Sequence, residues 1–151
     1  MAKETDSSAL NKKFSSEFFN ATWDLIEKLD RSEIDTERMI HLAHASLAHW
    51  MKRPDCSDQN LSIGYWLLSR VYAEAGEPEN AMKNAERCLN LSQKKNVAKV
   101  YLGYAYEALA RSAKLAGDED KRRKFITKAE KIAESLEEDD KNQLEVDLHS
   151  I

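Results

Sequence analysis

Four glycines and two prolines in 151 residues leave this sequence little of the punctuation that frequent turns demand. Ala, Leu, Glu and Lys dominate instead, so long helices and no strands are expected. Only two cysteines are present, Cys56 and Cys88, far apart and in no metal-type spacing; they read as reduced thiols of a reducing compartment, with Cys88 a small core residue. No apolar run approaches the roughly 20 residues that a bilayer span requires. Residues 1–8 are polar rather than a secretory leader, which points to the cytoplasm. The formal net charge is −4 with both signs interspersed, so no basic field exists to attract a phosphate backbone, and neither nucleic acid nor membrane is an expected partner. The chain also lacks a Gly-rich phosphate loop, a zinc-protease helix motif, a CxxC pair, and any serine or cysteine with an assignable base. Those absences disfavour an enzyme and imply no cofactor.

What is present is organised around residues 65–91. Leu61, Tyr65, Leu68, Tyr72 and Ala75 recur at helical spacing. Gly76 can take the left-handed conformation that closes a helix, and Pro78 suits a first helical turn because it lacks the N–H that such a turn leaves unpaired. The second helix carries Ala81, Ala85, Cys88 and Leu89, small enough to let two antiparallel backbones come close.

This pattern resembles the tetratricopeptide repeat: Tyr65, Leu68, Ser69, Tyr72, Gly76, Ala81, Ala85 and Cys88 occupy that family's large, leucine, small, tyrosine, turn-glycine and alanine positions in order. The chain departs at Tyr65, where tryptophan is usual and is displaced to Trp66, and at Ser69, where glycine is commoner. The turn glycines Gly76 and Gly117 lie about 40 residues apart against roughly 34 in the repeat, so the intervening helix is longer by about two turns. The resemblance implies antiparallel helical hairpins stacked as a short right-handed array of six to seven helices. A second resemblance is to a group of small bacterial helical-repeat proteins with no assigned activity, carried by His44-Ala45-Ser46, His49-Trp50, residues 68–73, residues 86–89 and residues 105–111. It implies a shared fold and a shared feature near His44, Trp50, Ser69, Arg70 and Tyr72.

Along the rest of the chain, residues 1–8 lack an apolar anchor and are expected to be frayed, leaving residues 9–151 as one domain. A first helix carries Leu10, Phe14, Phe18, Ala21, Leu25 and Leu29 as its inward stripe, with Phe19 and Trp23 at its flank packed or forming a homodimer contact. Ser32 or Asp35 caps a second helix whose buried face holds Ile40, Ala43, Leu47, Trp50 and Met51; Pro54 ends it. A further helix runs from Val97 to Leu115 and another from Asp118 to Leu136. Residues 121–124 read as part of a solvated face. Leu144, Leu148 and Ile151 fit a short capping helix, while Leu144, Val146 and Leu148 also fit an extended tail.

Three of the four histidines lie in one helix, where Glu37, His41 and His44 share a side. A carboxylate and two imidazoles so placed can hold a divalent metal or line a small-ligand pocket; alternatively, His44 borders the apolar stripe and bonds a neighbouring hydroxyl or carbonyl. The function expected first is a non-enzymatic scaffold or adaptor that binds a peptide or protein in a helical groove, with Arg70, Tyr72, Tyr101, Tyr104, Glu107, His44 and Trp50 as candidate contacts, because aromatic and arginine side chains dominate binding energy. The alternative is a ligand- or metal-binding bundle using Glu37, His41 and His44.

Overall fold

A computed structural model describes residues 2–151, with side chains from residue 6 onward. Over that span the chain is all-α: α1 (Ala2–Ile26), α2 (Glu33–Met51), α3 (Asp58–Glu74), α4 (Pro78–Ser92), α5 (Lys99–Leu115), α6 (Glu119–Ala133) and α7 (Glu138–His149). Of the stretch expected to be frayed, residues 2–8 form the start of α1, while Met1 and the side chains of residues 2–5 lie outside the described residues.

The helix ends follow local chemistry. Ser32 accepts the Asp35 N–H at 3.1 Å and Asp35 accepts the Ser32 N–H at 3.2 Å, a reciprocal pair that satisfies two donors at the start of α2. Ser57 and Asn60 repeat it at α3, and the Asp118 side chain accepts from the Lys121 N–H at α6. The two expected glycine stops are copies of one motif. Gly76 and Gly117 have φ of 76° and 74°. Beyond each, an N–H reaches back across the last turn, Glu77 to the Tyr72 carbonyl and Asp118 to the Ala113 carbonyl, both at 2.9 Å.

Consecutive helices pair as α1/α2, α3/α4 and α5/α6, and α7 lies against α5 and α6. The odd-numbered helices also touch one another, α3 on α5 and α5 on α7, so they form one layer and the even-numbered helices the other. Within α3/α4, Ser69 donates to the Ala81 carbonyl at 2.9 Å and Ser62 bonds Ser92 at 2.6 Å, so small hydroxyls fill the seam with their hydrogen bonds made. Gly64 sits where a Cβ would come within 2.6 Å of the Leu47 side chain, marking the close crossing of α2 and α3. The core changes character along the chain. Ile26, Met39, Leu47, Leu67, Leu68 and Val71 fill the space among α1, α2 and α3, whereas Ala85, Ala108 and Leu109 bring α4 and α5 together.

The buried face of α1 is not its most apolar stripe. Asn11, Ser15, Thr22 and Ile26 are buried, while Leu10 is 49% exposed and Leu29, beyond the helix end, is fully exposed. The reason is that the polar residues are small and already bonded. Thr22 donates to the Phe18 carbonyl at 2.7 Å, Ser46 of α2 donates to the Ser15 carbonyl at 2.7 Å, and Asn11 meets His49 at 2.8 Å. Close approach of α1 and α2 therefore rotates the aromatic stripe sideways, where Phe14 and Phe18 stack at 5.3 Å and both lie against His49. Met51, expected inward, is 51% exposed at the end of α2. The terminal segment is helical, with Leu144 and Leu148 inward and Val146 outward.

Candidate functional site

Trp66 of α3 is the junction of the odd-numbered layer. Its ring stacks on Trp23 of α1 at 5.6 Å and meets Tyr104 of α5 edge-on at 5.8 Å. Its indole N–H donates to Glu107 of α5 at 2.9 Å. Glu107 is only 1% exposed and accepts from Arg111 one turn on, so the buried carboxylate is neutralised within its own helix. Tyr104 in turn donates to Asp147 of α7 at 2.7 Å. Burial, then that carboxylate, pushes the Tyr104 phenol well above its usual range. Four helices are thus tied by aromatic contact and hydrogen bonds, with the polar groups of Trp66, Tyr104, Glu107, Arg111 and Asp147 all engaged. Offset-stacked and edge-on aromatic pairs contribute roughly 0.5–1.5 kcal/mol each beyond burial.

Of the residues singled out in the sequence, Tyr101, Tyr104 and Glu107 lie together in α5, and Arg70 lies one turn along α3 from Trp66. Arg70 donates to Glu74 at 3.0 Å, and Glu74 also receives Arg31, whose other guanidinium nitrogen bonds the carbonyls at the end of α1. Tyr72 and His44 are elsewhere. Two positions on a helix differ by about 200° of rotation, so Tyr72 faces away from Arg70 and meets His44 of α2, hydroxyl to Nε2, at 2.9 Å. Trp50 occupies a third place. It carries the Arg53 guanidinium over its ring at 3.7 Å and borders a cleft of about 380 Å³ with Phe19, Asn20 and Asn60.

The histidine set is drawn apart in the same way. His41 and Glu37 form an exposed pair at 3.7 Å, with side chains 75% and 73% accessible, while the His44 ring turns to Tyr72. Partial burial, reinforced by the charges of His41 and Arg87, holds the His44 imidazole below its ordinary range. Among the described residues, no three His, Cys, Asp or Glu side chains converge in a metal-holding group. Phe19 and Trp23 are half-buried and pack against the core of α1, α2 and α3.

Three residues of the site escape a reading by residue type. Trp66 is eclipsed by Tyr65 in the repeat pattern, Trp23 reads as a flank of the first helix, and Arg111 is not singled out as a partner for a carboxylate. A signal for them exists: Glu107 is the only acidic residue in the alanine-rich run of residues 105–110, and a lone carboxylate among alanines needs a buried partner. Among the described residues, no helix is long and apolar enough to cross a membrane. No protein-family model, curated protein or solved structure matches the chain.

Proposed function

We propose that this chain is a non-enzymatic scaffold or adaptor module that receives a peptide segment of a protein partner along the face formed by α1, α3 and α5. The observation that carries this reading is the row of half-buried aromatic rings, Trp23, Trp66 and Tyr104, fixed across three successive odd-numbered helices. Rings held in place by stacking and hydrogen bonds lose little entropy when a partner covers them, and such residues supply most of an interface's energy. Arg70, Tyr101 and Glu107 border or underlie the same face. The likeness to tetratricopeptide repeats supports the reading, since stacked hairpins of that kind offer an extended inner face to a ligand. The disposition of the polar groups supports it too: Glu107, Arg111, Tyr104 and Asp147 satisfy one another rather than pointing a base at a nucleophile.

The test is selection of binders from a random-peptide library against the full chain, followed by calorimetry. Enriched peptides should bind Tyr101→Ala and Arg70→Glu about tenfold more weakly than the parent, with thermal melts showing both variants folded. Failure to enrich any peptide, or equal affinity for parent and variants, contradicts the proposal.

A further inference from the structure

Beside Trp66 and Tyr104 of the aromatic row, a cavity of about 180 Å³ opens between α3, α4 and α5. Its walls are Ile63, Trp66, Tyr101 and Tyr104, and its floor is Ser62 and Cys88. The accessible lining is wholly apolar, although several of these residues carry polar atoms. Those of Ser62, Trp66 and Tyr104 are spent elsewhere. Ser62 bonds Ser92 at 2.6 Å, the Trp66 N–H is held by Glu107, and the Tyr104 hydroxyl is held by Asp147. The Cys88 thiol lies 3.6 Å from the Ser62 hydroxyl and 3.8 Å from that of Ser92.

Size and polarity together define the occupant. Sites for free small molecules run to roughly 300–1,000 Å³, and this cavity falls short of that range. It is close to the roughly 150 Å³ apolar cavity that takes a single benzene ring. A free ring of so few atoms binds weakly, because attraction per atom has a ceiling. A ring or branched alkyl group attached to a chain that already lies on the face escapes that limit. A charged or amide group would lose its hydration and meet no free partner on the floor.

We infer that this cavity is a specificity pocket for one neutral apolar side chain, of phenylalanine or leucine size, presented by the peptide that the odd-numbered face receives. The inference rests on the proposed function, and its test separates the two. The full chain, isotopically labelled, is titrated with N-acetyl-phenylalaninamide, N-acetyl-leucinamide, N-acetyl-glutaminamide, N-acetyl-lysinamide and toluene, following the indole N–H of Trp66 and the amides of Ile63 and Cys88. The two apolar amides should shift these signals saturably and the glutamine and lysine amides should not. Ile63→Trp, which fills the mouth, should weaken the apolar amides at least about tenfold. Tyr101→Ala, which removes a wall, should do the same, and melts confirm that each variant folds.

Library peptides close the argument. If they bind the face but tolerate replacement of every apolar residue by glutamine, or bind Ile63→Trp unchanged, the pocket assignment is overturned and the adaptor reading stands. If the amides bind the cavity but no library peptide binds the face, the adaptor reading fails, and with it the claim that a peptide side chain is the occupant. Equal shifts from polar and apolar amides, or binding of toluene without the amides, also overturn the assignment.

Discussion

The two halves of the molecule hold themselves together differently. Among α1, α2 and α3 the buried apolar residues are mostly bulky, with Met39, Leu47, Leu67 and Leu68 at 5% exposure or less. From α4 to α6 they are mostly small: Ala85, Ala105, Ala110, Ala113, Ala129 and Ala133 are all fully buried, with Leu109 the large exception. The first region gains its stability from the volume it fills, the second from how closely its backbones approach. Trp66 packs against both regions, and the apolar cavity lies beside it. A seam between bulky and alanine packing is where neither style closes the gap, and the candidate site occupies that seam.

The largest test of this contrast is a pair of substitutions. Leu68→Ala should cost about 2–5 kcal/mol in urea unfolding, because it empties a filled site. Ala105→Leu in the second region should cost about 1–3 kcal/mol for the opposite reason, since a larger side chain must push apart helices already in contact. If Ala105→Leu is accommodated without loss, the close-packing account of α4 to α6 is wrong.

That difference was only half legible in the sequence. The stops at Gly76 and Gly117 and the start at Ser32 could be read because each is a local backbone requirement carried by one or two residues. The alanines of α4 also pointed to close approach. The true face of α1 could not be read that way: Ser15 and Thr22 look solvent-facing until their hydrogen bonds to neighbouring carbonyls are seen. Nor could the central place of α5, which is buried on nearly every side between Gly103 and Ala113 because four other helices pack on it. Grouping Arg70 with Tyr72 and His44 by residue type missed the helical rotation that separates them. Tyr101, Tyr104 and Glu107, grouped by the same reasoning, do lie on one helix beside Trp66 of α3.

Titration sharpens the same comparison, because the two regions respond at opposite ends of the pH scale. Burial pushes the Cys88 thiol up to about 11 from an ordinary 9. The folded chain therefore keeps a proton that the unfolded chain releases. Stability should be full below pH 9 and fall by about 2–3 kcal/mol as the pH rises toward 11, and Cys88→Ala should remove that share of the slope. In the first region His44 is held below its ordinary 6.5, so the unfolded chain takes up the proton first. Its contribution is present above that value and is lost as the pH falls through it toward the lowered one, an effect that His44→Gln should abolish in acid melts.

The link between the regions can be cut directly. Glu107→Ala leaves the Trp66 indole N–H without its acceptor and Arg111 without its carboxylate, and should cost about 1–3 kcal/mol in urea unfolding; Glu107→Gln, which keeps an acceptor, should cost less. Smaller still, Gly76→Ala and Gly117→Ala each place a side chain at positive φ and should lower stability by about 1 kcal/mol. Equal losses at both sites are expected because the two turns share one hydrogen-bond pattern.

The most direct measurement is chemical-shift mapping of a library-selected peptide on the isotopically labelled full chain. Perturbations confined to α1, α3 and α5 around Trp23, Trp66 and Tyr101 are the predicted result. Perturbations centred on His44 and Tyr72, or spread over the even-numbered helices, would contradict the account.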